Sequence, residues 1–292
     1  MRIDIGIATS DRREVLRETI AHLSTLHPLP YRIIVCPAKP EHIDRQAALA
    51  SNNVVLIIEG PQGLPAQRNA ILDASDADVM VFLDDDFLPA PNFIEEVDKI
   101  FTAHPDVVVA TGHVIADGII GPGLDNDAGL LLLNADKGAS NPSLEPVFNA
   151  YGCNMILRAK PIRQNSLRFD ETLPLYGWLE DVDFSRQLAP YGKIVRANSL
   201  RGVHLGTKRS GRTPGRKLGY SQIANRVYLA RKGNLPWLQA VGGMARNIGA
   251  NLLHWHAPEP WVDRRGRLAG NALAIADWLS GTVQPGKILT LK

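Results

Sequence analysis

The chain has 292 residues, 45% of them hydrophobic and 21% charged, and a formal net charge of +2. This composition is typical of soluble globular proteins and excludes disordered, collagenous and coiled-coil chains. No basic start is followed by an apolar run, and no apolar stretch approaches the roughly 20 residues of a spanning helix, so we expect neither a signal peptide nor a membrane span. We therefore expect a cytoplasmic protein, with Cys36 and Cys153 as reduced core residues.

The charged residues are distributed unevenly along the chain. Residues 1–183 include 27 acidic and 14 basic side chains, whereas residues 184–258 include thirteen Lys or Arg and no Asp or Glu. Charge runs often only solvate a surface. The asymmetry also favours an acidic half that holds a cation and a basic stretch that meets an anion.

Short Val- and Ile-rich runs alternate with helical patterns over the first hundred residues. The predicted strands cover 2–9, 31–36, 53–59 and 78–84, and the predicted helices between them cover 12–26, 40–50 and 64–74. Buried parallel strands separated by crossover helices are typical of an α/β fold with a doubly wound, mostly parallel sheet. In such a sheet the ligand binds beyond the carboxyl ends of the strands.

The pattern loosens after the fourth predicted strand. The predicted elements are a helix over 92–103, a strand over 107–115, a loop-rich segment over 117–146, a strand over 150–157, a helix over 180–188 and a strand over 200–204. The basic segment 207–217 is interrupted by Gly and Pro, which predicts a flexible loop. Helical patterns over 218–231, 237–256 and 264–280 predict a helical C-terminal extension.

Three consecutive carboxylates, Asp84, Asp85 and Asp86, follow the apolar run VMVFL. Adjacent carboxylates at the end of a buried strand repel one another unless a cation or several donors neutralise them. Hard carboxylate oxygens suit Mn²⁺ or Mg²⁺, with further positions left to water and substrate phosphates. The run predicts a metal site, and the alternative is an acidic turn after a strand.

A second acidic group occurs in the segment WLEDVDF, which begins at Trp178. Acids in the first turn of a helix are favoured by the macrodipole, so capping is one interpretation of Glu180, Asp181 and Asp183. The other interpretation is functional, since a Trp beside a carboxylate offers an apolar wall to a sugar ring and a base to one of its hydroxyls.

Two further segments bear on the same edge of the sheet. GPQGLPAQRNA follows the third predicted strand and would direct Arg68 toward the rim that carries Asp84. Its glycines match neither a P-loop nor a dinucleotide-binding fingerprint. His204 precedes the basic loop, and a lone histidine beside an apolar strand is usually structural.

Together these motifs resemble the GT-A fold glycosyltransferases of family 2, inverting enzymes that use a nucleotide-sugar donor. The resemblance rests on IATSDR, GLPAQRNAIL, VMVFLDDDF, YGCNMILR, WLEDVDFSRQL and NRVYLARKG, and it covers roughly residues 1–232. It implies a nucleotide-sugar-binding half over 1–115, an acceptor-binding and catalytic half over 116–217, and a helical extension over 218–292.

The resemblance also implies roles for individual residues. Asp181 would be the general base, and Asp86 and His204 would hold Mn²⁺ or Mg²⁺ against the donor diphosphate. The implied donor-binding residues are Thr9, Arg12, Arg68, Asp84, Asp85, Lys208, Arg209 and Arg212, and the implied acceptor- and sugar-binding residues are Asn154, Trp178 and Glu180. The implied reaction is hexosyl transfer from a nucleotide-sugar, with a UDP-sugar as the first expectation, to a saccharide or glycolipid acceptor.

Two other functions stay open at this point. A metal-dependent nucleotidyltransferase or phosphohydrolase needs the same acids, metal and basic residues. A non-catalytic protein that binds anions or nucleic acid could use the basic stretch. The tyrosines are not interleaved with Lys and Arg as they are on a stacking platform, so we expect no nucleic-acid partner.

The predicted helix over 237–256 repeats apolar residues at helical spacing. These residues are Trp237, Val241, Met244, Ile248, Leu252 and Trp255. The stripe either packs against the transferase core or, with the basic stretch before it, binds an anionic membrane surface that presents a glycolipid acceptor.

Overall fold

The computed structural model describes residues 1–208 and 214–291. The chain forms two compact units, each discontinuous in sequence. The first unit comprises the described residues of 1–62, 66–169 and 184–211, and the second comprises those of 63–65, 170–183 and 212–292. The predicted functional division at residues 115 and 217 stays a prediction.

A mixed β-sheet forms the centre of the first unit. Its strands are β1 Ile3–Thr9, β2 Arg32–Pro37, β3 Val55–Ile57, β4 Val79–Leu83, β5 Phe87–Pro89, β6 Val107–Asp117, β7 Leu144–Pro146, β8 Asn154–Arg158 and β9 Lys193–His204. Their order is β3-β2-β1-β4-β8-β6-β9-β5, with β7 paired to β9. β3, β2, β1 and β4 run parallel, as do β6 and β9, while β8 runs antiparallel to β4 and β6. The predicted doubly wound α/β fold is confirmed.

The first five helices alternate with strands, as expected of crossover connections, whereas the last three follow one another. They are α1 Arg13–Leu23, α2 Arg45–Leu49, α3 Leu64–Ala74, α4 Phe93–Ala103, α5 Asn126–Ala135, α6 Ala159–Gln164, α7 Glu180–Leu188, α8 Gly215–Lys232, α9 Trp237–Leu253 and α10 Arg264–Leu279. In α1, Leu16, Ile20 and Leu23 are buried at helical spacing, so one face packs on the core. β4 is buried along its whole length. Each such buried Val or Leu contributes about 1.5–3 kcal/mol of apolar burial.

The strand order reverses between β1 and β4, because β2 and β3 lie on one side of β1 and β4 lies on the other. In doubly wound sheets the crevice at this reversal accepts the ligand. β1, β4, β6 and β9 all run in the same direction. Their carboxyl ends therefore bring Thr9, Asp84, Asp117 and His204 to one edge of the sheet.

Three predicted segments differ from the structure. The segment 117–146, predicted as loop, contains α5 and β7, and its Gly129 serves packing, since a Cβ there would lie 2.4 Å from Leu205 Cδ2. β9 begins at Lys193, well before the predicted start at 200. Its first half was missed because it is partly exposed and carries charged residues, which interrupt the apolar pattern. α8 begins at Gly215, directly after Pro214, so residues 215–217 of the predicted flexible loop are helical.

The second unit contains α8, α9 and α10. At Gly219 a Cβ would lie 2.0 Å from Arg267 O, so this glycine allows α8 and α10 to approach closely. The predicted stripe on α9 is divided: Met244 is buried, whereas Val241 and Leu252 are exposed. Within the described parts of the chain, no helix is both long enough and apolar enough to cross a bilayer.

Candidate active site

The three consecutive carboxylates lie where β4 ends, and the structure neutralises each of them differently. Asp85 and Asp86 are buried, while the Asp84 side chain is 30% exposed. Three negative charges this close together need separate partners. Those partners come from the ends of β1 and β9 and from helices α1 and α3.

Asp85 is held by two of the residues predicted to bind the donor. Thr9 Oγ1 donates to Asp85 Oδ2 over 2.6 Å, and Arg12 NH1 donates to Oδ1 over 2.9 Å. Thr19 Oγ1 donates to the Asp85 carbonyl oxygen over 2.7 Å. Burial raises the pKa of Asp85, and the Arg12 guanidinium opposes that rise. Asp85 thus fixes Thr9 and Arg12 at the edge of β1.

Asp84, Asp86 and His204 form a group with metal-ligand geometry. His204 Nε2 lies 3.3 Å from Asp86 Oδ1 and 3.8 Å from Asp84 Oδ2, and one ligand atom of each residue lies within 4.8 Å of the others. Among the described residues, His204 Nε2 is the cation nearest to the buried Asp86 Oδ1, and no contact to this oxygen has full hydrogen-bond geometry. Burying a carboxylate oxygen without a well-formed hydrogen bond costs free energy, and a divalent cation bound to that oxygen would offset this cost. The group fits Mn²⁺ or Mg²⁺ chemically.

The other oxygen of Asp86 is fixed by the backbone. Thr207 N donates to Asp86 Oδ2 over 2.8 Å. Gly206 makes this approach possible, since its φ is +61° and a Cβ there would lie 2.3 Å from the Gly118 carbonyl carbon. His204 and Arg12 lower the pKa of Asp86 although burial alone would raise it.

Asp117 and Tyr151 complete the group, and the sequence did not assign them to the site. His204 Nδ1 lies 2.9 Å from Asp117 Oδ1, and Tyr151 Oη donates to Asp117 Oδ2 over 2.9 Å. Burial lowers the pKa of His204, but Asp117 and Asp86 outweigh that effect and raise it to about 10. Ligation requires the neutral imidazole, so metal binding here is coupled to loss of the His204 proton.

Arg68 lies at the same rim as Asp84, as predicted from its segment. It is buried, its NH2 lies 3.3 Å from Asp84 Oδ1, and the same group donates to the Gly152 carbonyl oxygen over 2.7 Å. Its guanidinium lies 5.3 Å from the Phe82 ring centroid. Such a buried cation contributes positive potential to the rim and orients Asp84.

Asn154 and Lys208 also belong to the first unit. Asn154 is buried, and its Oδ1 accepts from Thr111 Oγ1 over 2.5 Å and from Gly112 N over 3.0 Å. Lys208 Nζ donates to the Ile119 carbonyl oxygen over 2.7 Å. The other two cations predicted to bind the donor, Arg209 and Arg212, lie outside the described residues.

The second acidic group belongs to the second unit and follows a loop of unusual backbone conformation. Leu175, Gly177 and Leu179 have φ of 59°, 61° and 71°. Left-handed conformations at two leucines are sparsely populated, and strain of this kind is concentrated at functional sites. The loop holds Trp178 half-buried, 6.3 Å from the Tyr176 ring.

The three acids after that loop have different surroundings. Glu180 is buried, whereas Asp181 is partly exposed and accepts from Val182 N over 2.8 Å. Asp183 is fully buried and accepts from Lys232 Nζ over 2.8 Å and from Asn234 Nδ2 over 2.7 Å. Asp183 Oδ2 is therefore engaged in an ion pair and Oδ1 in a hydrogen bond with a neutral amide, and Asp181 is the more accessible acid.

Comparison with known proteins identifies the family. The model of glycosyl transferase family 2 matches residues 4–165, which is more than half of the chain. No curated protein matches the sequence. The chain belongs to glycosyl transferase family 2.

Solved glycosyltransferases share the fold at low sequence identity. The mannosyltransferase PcManGT from Pyrobaculum calidifontis, in complex with GDP-Man and Mn²⁺, is 13% identical with a TM-score of 0.54, over 99% of this chain and 78% of its own. Glucosyl-3-phosphoglycerate synthase from Mycobacterium tuberculosis, in complex with Mg²⁺ and UDP, is 17% identical with a TM-score of 0.50, over 80% of each chain. TarS from S. aureus is 15% identical with a TM-score of 0.52, over 88% of this chain and 44% of TarS. This chain thus spans less than half of TarS, and the likeness establishes the GT-A fold alone.

Proposed function

We propose that this family 2 glycosyltransferase moves a hexose from a nucleoside diphosphate donor, with inversion at the anomeric carbon, to a hydroxyl of a saccharide or glycolipid acceptor. The observation that carries the proposal is the group of Asp84, Asp86 and His204 beyond the carboxyl end of β4. Two solved proteins of the same fold contain GDP-Man with Mn²⁺ and UDP with Mg²⁺. A UDP-sugar is the donor to test first.

The metal ligands we propose are Asp86 and His204, with Asp84 beside them. Support comes from the buried Asp86 Oδ1 and from the hard oxygen and imidazole donors, which suit Mn²⁺ or Mg²⁺. When bound, the cation offsets the negative charge that develops on the leaving diphosphate. Asp117 holds the His204 ring in the orientation that directs Nε2 toward the two carboxylates.

We assign donor binding to the residues around Arg12 at the carboxyl edge of the sheet. One amino group of Arg12 contacts Asp85 and the other lies 3.4 Å from the Thr207 carbonyl oxygen, so the guanidinium links β1 to the segment after β9. Lys208 follows directly and contacts a neutral carbonyl of Ile119. A phosphate oxygen would accept a charge-assisted hydrogen bond from this ammonium. We assign Lys208, and with it Arg209 and Arg212, to the diphosphate.

Asp181 is the proposed general base. Its carboxylate accepts the proton of the acceptor hydroxyl while that oxygen forms the bond to the anomeric carbon and the bond from that carbon to the diphosphate oxygen breaks. The leaving nucleoside diphosphate takes the electron pair. The rings of Trp178 and Tyr176 supply an apolar wall for a sugar, and the strained loop fixes their position before the acceptor arrives.

We assign the reaction to the cytoplasm, since Cys36 and Cys153 are free and buried, as suits a reducing compartment. Incubation with a panel of nucleotide-sugars, with and without Mn²⁺, tests the function. A transferase releases nucleoside diphosphate and forms a glycoside, whose anomeric configuration by NMR must be opposite to that of the donor. A nucleotidyltransferase would instead release pyrophosphate, and a phosphohydrolase would form no glycoside.

The base assignment has its own test. Asp181→Asn is expected to keep donor and metal binding but to lower the rate of transfer about a hundredfold or more, because an amide cannot accept the proton. Glu180→Gln is the matched control on the neighbouring acid. A greater loss of transfer in Glu180→Gln would assign the base to Glu180.

A further inference from the structure

Helix α9 turns its apolar side chains outward. Leu238 and Leu253 are 87% and 84% exposed, and Val241 and Leu252 are exposed as well. A helix that packs on a globular core normally buries such residues. The exposed face of α9 is therefore apolar, whereas a helix face in contact with water is normally polar.

The face is continuous along the helix. Leu238, Val241, Ala245, Ile248 and Leu252 follow one another at spacings of three and four residues, which places them on one side. Helix α9 has 17 residues and is thus about 25 Å long at 1.5 Å per residue. The outward stripe extends over almost all of that length.

Polar and small residues occupy the inward face instead. Ala240, Gly243 and Asn251 are buried, and Met244 is the one large apolar residue of the described helix buried with them. Asn251 Nδ2 donates to Asn271 Oδ1 of α10 over 2.9 Å, and Asn271 Nδ2 donates to the Gly219 carbonyl oxygen of α8 over 2.7 Å. Buried amides of this kind fix the three helices to one another. The leucines of α9 are therefore not needed to attach it to α8 and α10.

Tryptophans stand at both ends of the exposed face. Trp237 opens α9 and stacks on Trp278 with ring centroids 6.0 Å apart, and Trp255 lies beyond its last turn with the Arg265 guanidinium 5.7 Å from its ring centroid. Both tryptophans are more than one-third exposed. Indole rings favour the boundary between hydrocarbon and water, where one part of the ring is apolar and the other polar.

The charge around this face is positive. Residues 212–258 of the second unit contain no acid, Arg246 of α9 and Arg231 before it are exposed, and the next acid, Glu259, is ion-paired with Arg264 over 2.6 Å. A second copy of the chain would bring like charges together, whereas an anionic lipid surface would be attracted. Charge complementarity thus selects lipid over self-association.

We propose that the outward face of α9 docks on an anionic lipid surface, with Leu238, Val241, Leu252 and Leu253 inserted at the level of the acyl chains and Arg246 among the headgroups. The site lies in the second unit and does not depend on the proposed transfer reaction. It would hold the enzyme where a glycolipid acceptor is presented. Lipid binding is therefore measured without donor, metal or acceptor.

Co-sedimentation with vesicles tests the proposal. The full chain is expected to bind vesicles of phosphatidylcholine mixed with phosphatidylglycerol at low salt, and to bind pure phosphatidylcholine vesicles more weakly. Leu238→Glu combined with Leu253→Glu should lower the affinity about tenfold or more, because two inserted side chains are lost. Leu49→Glu combined with Leu131→Glu is the matched control, since these leucines are 65% and 71% exposed in the first unit, and it should bind like the parent.

Two outcomes would overturn the proposal. One is the absence of binding to the anionic vesicles at low salt by a chain whose circular dichroism is that of a folded protein. The other is a concentration-dependent dimer, seen by light scattering, that the Leu238→Glu and Leu253→Glu pair dissociates while vesicle binding is absent. Transfer to a soluble acceptor, measured separately, reports on the proposed function and is unaffected by either result.

Discussion

Asp117 is expected to set the metal affinity of the site without contacting the metal. It accepts a hydrogen bond from His204 Nδ1 over 2.9 Å and one from Tyr151 Oη over 2.9 Å. A carboxylate behind a ligating histidine fixes the tautomer and the ring orientation and raises the basicity of the ligand. Loss of such a partner costs about 10- to 100-fold in metal affinity, which equals about 1.4–2.8 kcal/mol.

Asp117→Asn keeps the size of the side chain and removes its charge. We therefore expect its dissociation constant for Mn²⁺, measured by titration calorimetry of the full chain, to rise by that factor. Tyr151→Phe should have a smaller effect, because it leaves the carboxylate on the imidazole. Asp106→Asn, which removes an exposed partner of Lys193, is the control and should bind Mn²⁺ like the parent. Equal affinities for Asp117→Asn and Asp106→Asn would refute the role of Asp117.

Three further predictions concern the metal site, the donor site and an ion pair of the second unit. Asp86→Ala should abolish metal-dependent nucleotide binding while circular dichroism stays unchanged, and a nucleotide affinity insensitive to EDTA in the parent would contradict this. Lys208→Gln should raise the KM for the donor about tenfold with a smaller effect on kcat, since a charge-assisted phosphate contact is lost. Burial raises the pKa of Asp170, but hydrogen bonds from Lys232, Thr172 and Tyr228 outweigh it and lower the pKa to about 2. The ionised Asp170 contributes about 1–2 kcal/mol to the free energy of unfolding after solvent screening. This contribution is present above about pH 4 and is lost as the pH falls toward 2. Asp170→Asn should therefore lower the melting temperature at pH 7 more than at pH 2.

The fold could be predicted where burial on both faces leaves a continuous apolar run. β2 and β4 are of this kind, and α3 and α7 begin and end at the predicted residues. The first half of β9 could not be predicted, because it is partly exposed and its charged residues interrupt the apolar pattern. α5 was missed because the Gly, Pro and Asn residues of 117–146 are typical of a loop, whereas Gly129 of α5 packs closely against Leu205.

In the candidate site, too, residues at strand ends could be predicted from the sequence, whereas contacts that depend on strand pairing could not. The acidic run ending at Asp86 and the histidine at 204 stand at strand ends and were visible in the sequence. Asp117 lies in a segment predicted as loop, and it reaches His204 only because β6 and β9 pair in parallel with these residues opposite one another. The backbone N–H of Thr207, which donates to Asp86, has no sequence signature at all. The available signal was an acid two residues beyond the predicted strand over 107–115, and the observed strand β6 extends to that acid, Asp117.

The two neighbouring acids of α7 should separate stability from catalysis. Asp183 is fully buried with Lys232 and Asn234 on its two oxygens, so Asp183→Asn sets an amide against an ammonium that is itself 30% exposed. Breaking a buried ion pair costs about 3–5 kcal/mol, and exposure of Lys232 reduces this to about 2–4 kcal/mol, or roughly 4–16 °C in melting temperature for a chain of this size. Transfer per folded molecule should persist in Asp183→Asn and be lost in Asp181→Asn, which should melt like the parent. If instead Asp183→Asn melts like the parent and has lost transfer, Asp183 is the base and its ion pair with Lys232 must open during the reaction.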